Sequence, residues 1–227
     1  MDQQILIERV RDWKQRLDEA SGRWGGVEIC AATKTMDADT ANMAYEAGIR
    51  TIGENRVQEL IEKHERLHTG YSIHLIGQLQ TNKVKYIAGK VDMVQSLDRD
   101  SLAAEMNRQA LKVGTPMNAL VQVNIAGETQ KGGLPEEELL PFLRRVSVME
   151  GVRVRGLMAI MPQAENPEDV RQYFRRMRGW FDRLRDDPVP GTEMEILSMG
   201  MSHDCLVAAE EGATMVRLGT ALFGRRA

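Results

Sequence analysis

The chain has 227 residues, of which 42% are hydrophobic and 28% are charged, a balance typical of a globular domain with a sizeable core. Its formal net charge of -3 argues against a protein that binds nucleic acids or anionic membranes through a strong positive field. No apolar run approaches the roughly 20 residues that span a bilayer, and the N-terminal segment is charged throughout. We therefore expect a cytoplasmic protein with no nucleic-acid or membrane partner.

The two cysteines, Cys30 and Cys205, are too few for a disulfide framework and are not spaced as metal ligands. Free cysteine is among the residue types most often buried. We expect both to be reduced packing residues, and we expect no metal site.

Helix-like and strand-like segments alternate along the whole sequence. An opening helix at about residues 2–20 places Ile5, Val10, Trp13 and Leu17 near one face. Eight apolar runs of β type follow, at residues 27–33, 50–53, 72–77, 91–96, 119–125, 152–160, 194–197 and 214–218. Helical patterns separate them, at residues 38–48, 54–67, 80–88, 99–112, 136–148, 167–185 and 203–211.

This alternation predicts a parallel sheet, either open and doubly wound or closed as a barrel. Eight units favour closure, and no GxGxxG motif follows the first strand, which weakens the dinucleotide-binding alternative. No linker or low-complexity segment divides the chain. We therefore predict a single domain over residues 1–227, a (β/α)₈ TIM barrel with an extra N-terminal helix.

Lys34 follows the first predicted strand, at the end where barrels carry their active groups. Ile29 and Ala31 suit the face that packs under helices, so alternation puts Lys34 on the interior face. A lysine in that position is partly desolvated, which favours a neutral, nucleophilic amine able to condense with an aldehyde. Without this context, a solvated surface lysine would be the ordinary interpretation.

Two segments rich in glycine and hydroxyl groups follow the last two predicted strands, where barrels often bind phosphate. The first is Ser-Met-Gly-Met-Ser at residues 198–202, directly before a predicted helix whose first amides are free. Simple capping of that helix by Ser202 is the alternative. The second segment contains Gly219 and Thr220. Two adjacent segments of this kind favour a phosphate site.

Arg217 lies within the last predicted strand. Val216 and Leu218 take the face toward the helices, so Arg217 should point into the barrel. An arginine in that interior needs hydrogen-bond or charged partners.

Seven motifs, in order along the chain, closely resemble those of the YggS/PROSC family of pyridoxal 5'-phosphate (PLP) homeostasis proteins. The resemblance runs essentially end to end. The matching segments are residues 32–35, 53–59, 74–83, 122–125, 156–158, 197–202 and 216–224.

The resemblance implies the fold-type III PLP-binding barrel of the alanine racemase N-terminal domain, without the second domain of the racemases. It implies PLP held as an aldimine of Lys34, with Asn55 beside the ring and Arg217 bonded to the ring nitrogen. It also implies a cofactor-binding set around the phosphate that consists of Ser198, Met199, Gly200, Gly219 and Thr220. A permanent cation at the ring nitrogen disfavours its protonation, which makes the ring a weaker electron sink.

The function implied by the resemblance is intracellular PLP (vitamin B6) homeostasis by a carrier without catalytic residues, expected to be a monomer and to deliver PLP to apo PLP-dependent enzymes. Two alternatives stay open. One is a one-domain PLP-dependent amino-acid racemase, including a weak racemase-type activity. The other is a Schiff-base aldolase or similar phosphosugar barrel without PLP.

Other polar residues have two interpretations each. His74 should face the interior as a hydrogen-bonded structural group or as an acid/base. Gln122 and Asn124 should also face inward. Lys83 and Lys85 form either a solvated face or a secondary site for anionic PLP or a partner.

Overall fold

Eight parallel strands close on themselves in the computed structural model, which describes residues 1–128, 130 and 132–224. This confirms the predicted (β/α)₈ barrel. A short additional strand, β6, pairs with the end of β5 outside the ring and was not predicted. The strands are β1 Glu28–Ala32, β2 Thr51–Glu54, β3 Ser72–Leu75, β4 Met93–Leu97, β5 Met117–Asn124, β6 Leu134–Pro135, β7 Val152–Met158, β8 Thr192–Met201 and β9 Met215–Leu218.

Helices connect consecutive strands of the ring, one further helix precedes the barrel, and a short one follows its last strand. Short 3₁₀ turns extend several of them. The α-helices are α1 Gln3–Ser21, α2 Ala38–Glu46, α3 Val57–His64, α4 Val84–Ile87, α5 Asp100–Val113, α6 Leu139–Val146, α7 Arg171–Asp186, α8 Cys205–Glu210 and α9 Thr220–Phe223.

The first and last barrel strands are hydrogen-bonded neighbours, which closes the ring. Cys30 of β1 is in register with Thr51 of β2 on one side and with Arg217 of β9 on the other. The remaining strands follow in chain order, and β4 pairs directly with β5. The carboxyl ends of all eight strands therefore meet at one mouth.

Alternation along the strands produces two apolar layers. Ile29 and Ala31 belong to the large outer core between strands and helices. A small inner cluster of Met93, Leu120 and Met158 lies within the barrel. The predicted outward face of β1 is thus confirmed, and the interior is left partly polar.

Helix α1 covers one side of the barrel, but its buried face differs slightly from the prediction. Leu6, Val10 and Leu17 are buried, whereas Ile5 is 46% exposed. Val10 and Leu17 follow Leu6 by four and eleven residues, which keeps these side chains on one helical stripe, and Ile5 lies beside that stripe. The Asp2 carboxylate accepts a hydrogen bond from the Ile5 amide and so fixes the start of the helix.

Strand β8 is longer than predicted and includes most of the segment that we interpreted as a phosphate loop. Met199 packs in the outer core. A methyl group at Gly200 would lie 2.6 Å from Cβ of Ala208, and Gly200 has a φ of 90°. Gly200 is therefore required for the close packing of β8 on α8 and for its backbone conformation.

Candidate functional site at the mouth of the barrel

A cavity of about 520 Å³ opens at the carboxyl ends of the strands. Its size lies within the range of small-molecule sites. Loops after β1, β2, β3, β8 and β9 supply most of its walls. The lining residues are Ala32, Lys34, Asn55, Ile76, Gly77, Gln78, Gln122, Gly132, Ile160, Met201, Ser202, His203, Arg217, Gly219 and Thr220.

Lys34 lies in a tight turn directly after β1 and is half-buried at the cavity wall. The next residue, Thr35, has a φ of 64°, in the left-handed region that β-branched residues seldom adopt. The small side chain of Ala32 lines the cavity below the turn. The predicted position of Lys34 at the mouth is confirmed.

Asn55 follows β2 and is held close to the turn after β3. A methyl group at Gly77 would lie 2.2 Å from the Asn55 carbonyl oxygen, so only glycine permits this approach. Both residues line the cavity. This contact fixes the part of the cavity wall formed after β2 and β3, which neighbours the turn that carries Lys34.

Arg217 forms the inner end of the cavity and is 5% exposed. Its Nη1 donates to the Ser198 carbonyl oxygen at 2.9 Å and to Ser198 Oγ at 2.7 Å, and its Nη2 donates to the Ala159 carbonyl oxygen at 2.8 Å. Burial lowers the pKa of this guanidinium, although electrostatic interactions with the nearby Cys30 and Asp204 side chains oppose the shift. The predicted inward orientation is confirmed, and these partners are neutral oxygen atoms.

A chain of hydrogen bonds continues from Arg217 into the barrel. Ser198 Oγ donates to Gln95 Oε1 at 2.7 Å, and Gln95 Nε2 lies 2.8 Å from Nδ1 of His74. His74 Nε2 lies 3.0 Å from the Ser72 hydroxyl. Burial lowers the pKa of His74 to about 4, so its ring is neutral at neutral pH. The hydrogen-bonded interpretation of His74 agrees with this geometry.

The loops after β8 and β9 join through the hydroxyl of Ser202. Its Oγ accepts from the backbone amides of Gly219 at 3.3 Å and Ala221 at 3.2 Å. Ser202, Gly219 and Thr220 all line the cavity. The two predicted glycine and hydroxyl segments are therefore adjacent, as the strand order required.

Part of the predicted cofactor-binding set lies away from the cavity lining. Ser198 is fully buried beneath Arg217, with its hydroxyl bonded to that guanidinium and to Gln95. Met199 packs outward and Gly200 packs against α8. The three residues belong to strand β8, and their contact with a phosphate stays a prediction.

Two lining residues outside the predicted cofactor-binding set bond to backbone carbonyl groups of nearby loops. His203 Nε2 lies 3.0 Å from the Ala164 carbonyl oxygen and 3.2 Å from that of Glu165, which ties the loop after β7 to the mouth. Gln122, predicted to face inward, donates to the Gly132 carbonyl oxygen at 3.0 Å. Side-chain alternation along a strand could identify Gln122. The contacts of His203 depend on the conformation of loops, which periodicity in the sequence does not predict.

Comparison with known proteins identifies relatives over the full length. The family model described as alanine racemase, N-terminal domain, matches residues 7–227. A pyridoxal phosphate homeostasis protein of Aquifex aeolicus is 45% identical over 224 residues, covering 96% of this chain and 97% of that protein. One of Escherichia coli K12 is 36% identical, with 97% and 95% covered. The chain belongs to the pyridoxal phosphate homeostasis protein family. The resemblance stated from the motifs is thereby confirmed.

Solved structures from this family and beyond share the architecture. PipY of Synechococcus elongatus with PLP bound has a TM-score of 0.85 and 32% identity, covering 96% of this chain and 100% of that chain. An unknown protein of Bifidobacterium adolescentis reaches a TM-score of 0.91 at 32% identity, with 98% and 97% covered. The alanine racemase of Bartonella henselae, at 16% identity and a TM-score of 0.74, shares the fold over 60% of its own length.

Neither a metal site nor a membrane-spanning helix is found in the described ranges 1–128, 130 and 132–224. No group of three or more His, Cys, Asp or Glu side chains in them is arranged to hold a metal ion. None of the helices in the same part of the chain is both long and apolar enough to cross a membrane.

Proposed function

We propose that this protein binds PLP at the barrel mouth and takes part in PLP homeostasis. The observation that carries the proposal is one cavity of about 520 Å³ that contains Lys34, Arg217 and the joined loops of Ser202 and Thr220. Membership in the homeostasis family and the PLP bound by PipY support it. PLP has an aldehyde, which reacts with an amine, and a phosphate, which is bound by hydrogen-bond donors.

The residues present fit those two groups. Lys34 would hold the cofactor through its side-chain amine, and PLP would supply there an electrophilic aldehyde carbon. Ser202, Gly219 and Thr220 supply hydroxyl and amide groups for the phosphate. Asn55 borders the ring beside Lys34.

The expected contacts of Ser198, Met199 and Gly200 are revised in this proposal. Ser198 acts through Arg217, because its hydroxyl and carbonyl oxygens both accept from that guanidinium. Met199 and Gly200 maintain the packing of β8. Arg217 itself is directed to the ring nitrogen.

We further propose that the protein holds PLP without appreciable turnover. Arg217 remains a cation beside the ring nitrogen and opposes its protonation, so carbanions are poorly stabilised. Among the cavity-lining residues that the structure describes, the side chains with titratable groups are Lys34, His203 and Arg217. His203 lies within bonding distance of two backbone carbonyl oxygens. A racemase needs a second acid/base on the opposite side of its substrate.

Titration with PLP tests the binding proposal. We expect a visible absorption band in the wild-type protein that disappears on borohydride reduction and is absent from Lys34→Ala. Lys112→Ala, which removes an exposed lysine of α5, is the matched control and should retain the band. A colourless wild-type protein that also leaves the absorption of added PLP unchanged would refute the proposal and favour a barrel that uses phosphosugars.

Racemisation and transfer are tested separately. Single-enantiomer amino acids should remain unconverted by the PLP-loaded protein, and turnover that is lost in Lys34→Ala would favour a one-domain racemase. We propose transfer of PLP to apo PLP-dependent enzymes by a monomer. Transfer is measured by the recovery of activity of an added apoenzyme. The oligomeric state is measured by the mass of the loaded protein in light scattering.

A further inference from the structure

The backbone turn that carries Lys34 is held in a strained conformation. Thr35, with a φ of 64°, is the one non-glycine residue with positive φ in the part of the chain that the structure describes. Such a conformation in a β-branched residue is unfavourable and persists only where surrounding contacts determine it. The position of this strain, next to the cofactor lysine, indicates that the contacts around it have a role in the site.

Lys63 of α3 bonds to both sides of the turn. Its Nζ donates to the Thr33 carbonyl oxygen at 2.9 Å and to the Met36 carbonyl oxygen at 3.0 Å. These two carbonyl groups precede and follow Lys34 and Thr35 along the backbone. One ammonium group therefore fixes the width of the turn.

Two carboxylates complete the arrangement. Glu59, also on α3, accepts from the Thr35 backbone amide through Oε2 at 2.9 Å. Glu54, at the end of β2, accepts from the Thr33 hydroxyl and lies 2.6 Å from Lys63 Nζ. We call Glu54, Glu59 and Lys63 the turn clamp.

The core of the turn clamp is a buried ion pair. The side chain of Lys63 is 7% exposed and that of Glu54 is fully buried, and Glu54 Oε2 has no hydrogen-bond partner in the described residues. Removing two charges from water is costly, and such pairs are often no better for stability than apolar residues of similar size. A role in fixing one conformation accounts for the pair better than a role in stability.

We propose that Glu54, Glu59 and Lys63 are positioning residues that hold the Lys34 turn in its strained form, so that the Lys34 amine faces the cavity for covalent attachment. The inference rests on the proposed PLP function. None of the three side chains lines the cavity, so they act through the backbone of residues 33–36.

A pair of ligands separates positioning from general structural support. Pyridoxine 5'-phosphate has the ring and phosphate of PLP but an alcohol in place of the aldehyde, so it cannot bond covalently to Lys34. Loss of the turn clamp should weaken PLP binding by about tenfold or more, because misplacement of a reacting group by about 1 Å has effects of that order. Binding of pyridoxine 5'-phosphate should change by less than about twofold in the same variant, since its contacts do not involve the amine.

The variants are Glu59→Ala and the double variant Lys63→Met with Glu54→Gln. Glu59→Ala removes the bond to the Thr35 amide together with a contact of 3.4 Å to the exposed Arg56. The double variant replaces the buried pair by neutral groups of similar size. Glu62→Ala, at an exposed position of α3, is the matched control. Dissociation constants for both ligands are measured by fluorescence titration. If the double variant does not fold, the two ligands are compared in Glu59→Ala alone, and that comparison tests the proposal.

Equal loss of affinity for both ligands would show that the turn clamp has only a structural role and would overturn the inference. An unchanged affinity for PLP would overturn it as well. Failure of the PLP proposal itself is distinguishable, because the wild-type protein would then show no visible band and no preference for PLP over pyridoxine 5'-phosphate.

Discussion

Gln95 Nε2 lies 2.8 Å from Nδ1 of His74, and this contact fixes the direction of the hydrogen bonds that lead to Arg217. Since the amide nitrogen faces His74, the amide oxygen faces Ser198 and accepts from its hydroxyl at 2.7 Å. Ser198 Oγ is then left to accept from Arg217. The neutral histidine thereby supports the orientation of a cation at the far end of the chain of bonds.

Gln95→Leu should destabilise the fold, because the buried Ser198 hydroxyl loses its acceptor and Nδ1 of His74 loses its donor. We expect a loss of about 1–3 kcal/mol in the free energy of unfolding. Urea denaturation followed by circular dichroism measures it. Gln80→Leu, at an exposed position, should stay within about 0.5 kcal/mol. Equal stability of the two variants would contradict the bonding scheme.

His74 should make stability fall as the pH is lowered from about 6.5 to about 4. Its pKa in the folded state is about 4 because burial penalises the charged ring, whereas the ordinary pKa of histidine is about 6.5. In this window the unfolded chain binds a proton that the folded chain does not, so acidification favours unfolding. The full effect approaches about 3 kcal/mol at 1.36 kcal/mol per pKa unit.

The measurement compares urea denaturation of the wild type and His74→Gln at several pH values. Other titrating groups contribute equally to both proteins, so the difference isolates His74. The destabilisation caused by the substitution should be largest near neutral pH and should shrink toward pH 4. A difference that is independent of pH would show that the ring titrates normally.

Gly200→Ala should be strongly destabilising, because it combines a clash with backbone strain. The added methyl group would lie 2.6 Å from Ala208 Cβ at a φ of 90°. We expect about 2–4 kcal/mol, of which the conformation alone accounts for about 1 kcal/mol. Gly114→Ala, with a φ of 73° and open space around it, measures the conformational part. Thermal unfolding of the two variants should differ clearly.

Ser202→Ala should weaken PLP binding, because it removes the hydroxyl that joins the amides of Gly219 and Ala221 beside the cavity. A loss of about tenfold corresponds to one hydrogen bond of about 1.4 kcal/mol. Ser101→Ala, on the exposed first turn of α5, is the control. Retention of full affinity in Ser202→Ala would place the phosphate elsewhere in the cavity.

The inward orientation of Arg217 and the position of Lys34 could be predicted because strand alternation and barrel closure are regular. The continuation of β8 through Gly200 could not, since a glycine between hydroxyl residues is equally typical of a loop. The pairing of Lys63 with Glu54 was also missed. Charged residues usually lie on the surface, and their burial here depends on the approach of α3 to the turn after β1.

Similarly, the inner polar chain was predicted only in part. His74 was assigned to the interior by alternation, but its partner Gln95 lies on β4 and the next member of the chain, Ser198, lies on β8, both far from His74 in sequence. Such contacts depend on the relative stagger of the strands, which includes irregular register between β7 and β8. Periodicity within one strand carries no information about that stagger.

Closure of the ring between β1 and β9 has a consequence for synthesis on the ribosome. Lys34, the proposed cofactor lysine, follows the first strand, and Arg217 lies in the last, in register with Cys30. A nascent chain that has not yet released β9 therefore has the amine without the neighbouring strand that carries Arg217. Capture of PLP should begin only after the final strand has emerged, so a loaded cofactor marks a completed barrel.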